Sequence, residues 1–247
     1  MPESPTILDL IRNGTMSPQM AALLWAAVDE RVSFVTVAIP RLAGKTTVTN
    51  AALALLPPDV PVHRLSGDEA EMVRLKKAAT GGYLVVGEFA QAPVPTYIWG
   101  APVRRVFDTL TAGYSLAVAL HAASIQETFE AICDGNGITD EQASRIGMML
   151  YIRRFGGTPD TFWRRLAEVN EVDRVENGRP VGRLLSRWVE GDDRFEVVAE
   201  PQRLRATASE LAQREVLMRD MVDAGCTSPA DVASMVAEYH RSRVVAS

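Results

Sequence analysis

Gly44-Lys45-Thr46-Thr47 brings together what a phosphate group needs: a glycine that lets backbone approach closely, an ammonium, and two hydroxyls at a helix start. In that setting loop N–H groups and the helix N-terminus cradle phosphates, with Leu42 and Ala43 completing the cradle. Lys45 then reaches the β- and γ-phosphates and Thr46 ligates Mg2+. A Gly-Lys-Thr tripeptide is common by composition, so its surroundings must carry the argument. Carboxylates for such chemistry stand at Glu88, which closes the apolar run Tyr83-Leu84-Val85-Val86-Gly87, and in the acidic stretch Gly67-Asp68-Glu69-Ala70-Glu71. Taken alone, that stretch reads as a solvated loop. His121 closes another apolar run that begins at Ser115. Three Arg-Arg pairs, Arg104-Arg105, Arg153-Arg154 and Arg164-Arg165, read as surface residues or as phosphate contacts, and none is singled out as an arginine finger.

The elements that must hold these side chains follow from the hydrophobic pattern. Val32 to Ala38 is rich in β-branched residues, as a strand buried on both faces requires. A loop over 39–44 follows, and then a helix that begins at Lys45, continues through Leu56 and stops at Pro57-Pro58. That is the strand-loop-helix context a phosphate loop needs. Val60 to Ser66, Tyr83 to Glu88 and Ser115 to His121 each read as a strand delivering a polar residue at its C-terminal end, the ligand-binding edge of an open α/β sheet. Ser17-Pro18 opens a helix to about Glu30. The fold class is therefore α/β, a doubly wound core with a mainly parallel sheet. Past Gly156-Gly157 the pattern predicts an antiparallel strand addition, Arg164 to Val175 and Gly182 to Val189, turning at Glu176-Asn177-Gly178. Two C-terminal helices end the chain, Ser209 to Ala224 with Gly225 as the cap, and Ser228-Pro229 through Tyr239. The division is a lead-in segment (1–16), the P-loop domain (17–204) and a helical appendage (205–247).

Composition narrows the function. A formal charge of −5 argues against a dedicated nucleic-acid binder. The start of the chain lacks a basic and then apolar leader, and no later apolar run reaches membrane-spanning length. Cys133 and Cys226 stand far apart with no metal or redox spacing, which suits reducing cytosol.

On several of these residues the chain resembles the type II/type IV secretion and type IV pilus motor ATPases, which implies a RecA-like P-loop core. Ile39-Pro40-Arg41-Leu42-Ala43-Gly44-Lys45-Thr46-Thr47 stands where that family commonly has Gly-Pro-Thr-Gly-Ser-Gly-Lys-Thr-Thr. Gly87-Glu88 matches the end of the family's Walker B strand, and Ala112-Gly113-Tyr114 with Ala119-Leu120-His121-Ala122 matches its histidine box. Asp68 and Glu71 match its acidic box. The resemblance runs from about Leu8 to Tyr239 and leaves out the family's separate N-terminal domain, which implies a minimal form or half of a split system.

The resemblance implies ATP and Mg2+ as ligands. It gives Glu88 a role through water and Mg2+, Asp68 or Glu69 the positioning of water, and His121 the sensing of the γ-phosphate. It also implies a hexameric ring, or a hetero-oligomer with an active paralogue. Membrane platform or secretion proteins would be its partners, with the protein cytoplasmic or peripheral at the inner face of the membrane. The departures are Ile39 and Leu42 for glycines, Gly67 for the leading glutamate of the acidic box, Tyr114 for the first histidine, and Ala90 for an arginine. Leucine and a β-branched residue do not readily take positive φ, so these departures predict a reshaped cradle. Two readings result: a motor subunit that hydrolyses ATP, or a degenerate paralogue serving as structural or regulatory partner of an active motor. A small-molecule P-loop kinase gives the Gly-Glu strand and the histidine box no role.

Overall fold

The computed structural model describes residues 4–39, 42–156 and 162–246. Pro40 and Arg41 of the phosphate-loop motif, and Gly157 of the glycine pair, lie outside these residues. Thr6 caps α1 (Ile7–Arg12) reciprocally with Asp9. Ser17 accepts from the Met20 N–H with Pro18 in the first turn, which starts α2 (Pro18–Asp29). There follow β1 (Ser33–Ile39), α3 (Lys45–Leu53), β2 (Val62–Arg64), α4 (Glu69–Ala78), β3 (Gly82–Val86), β4 (Glu88–Phe89), β5 (Tyr97–Ile98), α5 (Ala101–Leu110), β6 (Tyr114–Leu120), α6 (Ile125–Asn136), α7 (Asp140–Ala143) and β7 (Ile146–Phe155). The chain then forms β8 (Trp163–Glu176), β9 (Arg179–Val189), β10 (Arg194–Val197), α8 (Ala208–Asp223) and α9 (Pro229–Ala246).

One eight-stranded sheet runs β10-β9-β8-β7-β1-β6-β3-β2, and β4 and β5 form a separate parallel pair. From β7 to β2 all pairings are parallel, while β8, β9 and β10 add antiparallel. The α/β architecture expected from the sequence is present. Side chains alternate across β1: Phe34 and Ala38 join one core cluster, Val35 and Val37 the other. The first cluster is closed by α1, α2, α3, α8 and α9, with Trp25, Met218, Val236 and Tyr239 in it. The second is closed by α5 and α6, through Val106, Phe107, Phe129 and Ile132. Helices on both faces explain why the central strands are apolar throughout.

Several elements differ from the sequence expectation, each for a long-range reason. The strand expected over Val60 to Ser66 contracts to three residues at the sheet edge, where only one neighbour stabilises it. The run Tyr83 to Glu88 breaks at Gly87, whose N–H donates to Thr96 O at 3.1 Å. A Cβ at Gly87 would stand 2.4 Å from Thr96 Oγ1, so only glycine lets the chain leave the sheet there. The acidic stretch is the first turn of a helix, α4, instead of a loop. β8 and β9 are long, fourteen and eleven residues, and α9 runs past Tyr239. The core also crosses both expected boundaries. Ile7 and Leu8 of the lead-in segment and Val232 and Met235 of the C-terminal helices are buried in the α2 cluster, and Thr6 Oγ1 donates to Thr227 O at 2.8 Å. Among the described residues no helix is long and apolar enough to cross a membrane.

Candidate nucleotide-binding site

Strand order assembles the site. Because β6 lies between β1 and β3, the residues that follow these three strands are neighbours at one edge of the sheet, strands being about 4.8 Å apart. Lys45 follows β1 through the loop, His121 follows β6, and Glu88 follows β3. Lys45 Nζ lies 3.3 Å from Glu88 Oε2 and 3.1 Å from His121 Nε2, and His121 Nε2 lies 3.4 Å from Glu88 Oε1. His121 Nδ1 is 3.1 Å from Ala38 O. A carbonyl only accepts, so Nδ1 carries a proton, and Nε2 is the ring atom turned towards both Lys45 and Glu88. The side chains of Lys45 and Glu88 are 8% and 5% exposed, so each charge depends on the other.

Gly44 is the N-cap of α3 at φ +96°, and α3 has no side-chain cap. Its first-turn N–H groups therefore have no intrahelical acceptor and carry the positive end of the helix dipole. The helix is fixed under the loop by a buried hydroxyl pair, Thr36 Oγ1 and Thr49 Oγ1 at 3.0 Å. Above it opens a cleft of about 550 Å3, lined by residues 42–47, by Glu88 and His121, and by Ala92, Val94, Tyr97 and Arg164. That volume lies within the range of small-ligand and cofactor pockets.

The loop departs from expectation at Leu42, which does take positive φ, +63°. Its side chain is 80% exposed, so nothing packs against it, and the left-handed backbone costs on the order of 1–2 kcal/mol. Ile39 stays in β1, paired in register with Arg153, where a β-branched residue is at home. The cradle is therefore open at both substituted positions.

Of the residues singled out in the sequence, Leu42, Ala43, Gly44, Lys45, Thr46, Thr47, Glu88 and His121 line one cleft. Asp68 and Glu69 do not. Asp68 is the exposed N-cap of α4, its Oδ1 accepting the Ala70 N–H at 2.9 Å, and Glu69 lies 3.8 Å from Arg105 Nε. Glu71 Oε2 accepts from the Ser66 N–H and hydroxyl at 3.0 and 2.9 Å. Tyr114 starts β6 at the end away from His121; its hydroxyl donates to Leu75 O and accepts from the Thr80 N–H. Tyr97 and Arg164 join the cleft without having been assigned a role in the sequence; the Arg164-Arg165 pair was the available signal. Burial pushes the Cys133 thiol up to about 11, with Asp140 and Asp134 adding to it, so it presents no thiolate at neutral pH.

Among the described residues no three His, Cys, Asp or Glu side chains group as a metal site. Mg2+ takes one or two protein ligands together with substrate phosphates and water, and the Thr46 hydroxyl and Glu88 carboxylate in this cleft suit it.

No family model matches the chain. It is 28% identical, over an alignment of 246 positions covering 85% of each chain, to an uncharacterized protein of Methanocaldococcus jannaschii. It is also similar to the X-ray structure of the Legionella pneumophila ATPase DotB, with 13% identity and a TM-score of 0.38. That match covers 87% of this chain and 54% of the other, so this chain spans about half the length of that solved structure.

Proposed function

We propose that this chain binds ATP with Mg2+ in the cleft over α3 and hydrolyses it. The observation that carries the reading is the contact of one buried ammonium, Lys45 Nζ, with both Glu88 and His121 at an uncapped helix N-terminus. The N–H groups of the first turn and Lys45 bind the phosphates. Thr46 and Glu88 would hold Mg2+, which when bound would neutralise charge on the phosphate oxygens. On binding, Lys45 exchanges its contact with Glu88 for phosphate oxygen, which frees the Glu88 carboxylate to act on Mg2+ and the water beside it. His121 Nε2, within reach of both groups, registers that exchange. Asp68 and Glu69, at the start of α4 and outside the cleft lining, take no part in this reading.

The finer reading is a ring-forming motor subunit serving a secretion or type IV pilus-like machine. It is supported by Gly87-Glu88 and by His121 at the ends of adjacent strands. ATP turnover by wild type, Lys45→Ala and Glu88→Gln tests the enzymatic part. Wild-type turnover well above both variants is expected; turnover equal to theirs refutes it. A mass near six chains by light scattering is expected of the ring, and a monomer at all concentrations with MgATP refutes the motor assignment.

A further inference from the structure

The cleft contains a second cation, Arg164, that no carboxylate balances among the described residues. Arg164 is near the start of β8, on the far side of β1 from Glu88 and His121. Its Nη2 donates to Leu42 O at 3.3 Å, and its stem crosses the phosphate loop so closely that a Cβ on Gly44 would stand 3.0 Å from Arg164 Cδ. Among the described residues the buried Arg164 Nε has no hydrogen-bond partner, and no carboxylate lies within ion-pair distance of the guanidinium. Its neighbours are different: Arg153 is paired with Glu190 at 2.8 Å and Arg165 with Asp193 at 2.9 Å. Burial, and then the guanidinium of Arg154, pull Arg164 below the usual arginine range. The two guanidiniums share one aromatic ring, that of Phe162, at 4.6 Å for Arg164 and 5.0 Å for Arg154.

An arginine held by a phenyl ring, repelled by a second arginine and left with a buried unpaired N–H in a cleft is an arrangement that an anion there would complete. The cleft it lines is the one where the α3 N-terminus collects negative charge. We infer that Arg164 binds the polyphosphate of the nucleotide from within the same chain, opposite the Lys45 side of the loop. Lys45 and Arg164 then flank the phosphates from the β3 and β8 sides of β1, and the guanidinium fork supplies directed N–H donors that a lysine would lack. Two cations about one helix end call for a di- or triphosphate more than a single phosphate.

The inference rests on the nucleotide reading, and the test separates the two. Binding of MgATP and of inorganic triphosphate is measured for wild type, Arg164→Ala, Arg164→Lys and, as a control, Arg194→Ala, an exposed arginine on β10 away from the cleft. Melting curves accompany each protein. Arg164→Ala is expected to weaken both ligands by roughly ten- to a hundredfold, the loss of a charge-assisted hydrogen bond, and to flatten the salt dependence of binding. Arg164→Lys recovers part of the affinity, and Arg194→Ala changes it less than twofold. If wild type binds ATP and Arg164→Ala binds it equally, the inference fails while the nucleotide reading stands. Loss of ATP binding with triphosphate affinity and salt dependence unchanged also overturns it, by showing a structural role. If wild type binds neither ligand, the nucleotide reading fails and this inference with it.

Discussion

Two buried clusters in this molecule are built from the same three kinds of residue and sit at opposite poles of helices. At the N-terminus of α3, Lys45 contacts Glu88 and His121. At the C-terminus of α2, Arg214 Nη2 donates to Asp29 Oδ2 at 2.7 Å, and His240 Nε2 lies 3.2 Å from Asp29 Oδ1. The cation and carboxylate are almost equally buried in both, 8% and 5% exposed against 4% and 10%. Their surroundings differ. Arg214 is packed between Tyr239 and Trp25, 4.6 and 5.6 Å from the rings, and the cavity beside it is lined by two further ion pairs, Glu30 with Arg205 and Glu210 with Arg243. Glu30 beside it accepts the N–H groups of Arg205 and Ala206, tying α2 to the segment that leads into α8. Lys45 instead faces a cleft with an uncapped helix end and a glycine at positive φ. A buried ion pair becomes a clamp where its cation is walled in, and a candidate site where its cation can exchange its carboxylate for an incoming anion.

That contrast predicts different losses. The largest is in turnover: Glu88→Gln lowers it by about 10^2–10^4, the scale of a lost acid-base or water-orienting group, in a protein that circular dichroism still shows folded. Arg214→Ala leaves the buried Asp29 with His240 alone and lowers stability by about 3–5 kcal/mol, read by urea titration, with MgATP affinity within twofold of wild type. Equal damage to ATP binding by Arg214→Ala would erase the distinction between clamp and site. Asp68→Ala removes the α4 cap and costs about 1 kcal/mol of stability with turnover retained; a turnover loss above tenfold would instead return Asp68 to the chemistry. The smallest effect concerns acid. The Thr207 N–H, which outweighs the cost of burial, and Arg243 hold Glu210 below the ordinary glutamate range. Its contribution to docking α8 and α9 is present above the unfolded value of about 4.3 and is lost as pH falls through the lower folded value. Acid unfolding of Glu210→Gln is therefore expected to begin at lower pH relative to its neutral stability than that of wild type.

Much of the site was legible because it is local. A β-branched strand, a loop and a Gly-Lys-Thr helix start lie within one stretch of chain, and Gly87-Glu88 and His121 each follow an apolar run directly. The misread parts depend on contacts that sequence spacing does not encode. Gly87 is a chain break because Thr96 packs on it, and Asp68 is a cap because a helix starts one residue later. Leu42 takes positive φ with its side chain in solvent, a conformation that its residue type does not announce. Arg164 reaches Leu42 only because β7 and β8 add to the sheet beside β1, more than a hundred residues further along the chain.

The most direct test of the central claim is a calorimetric titration of MgATP into wild type and Lys45→Ala under identical buffer and temperature. Saturable binding by wild type, weakened at least a hundredfold in a folded Lys45→Ala protein, is the predicted result; equal affinities, or no binding by wild type, would contradict it.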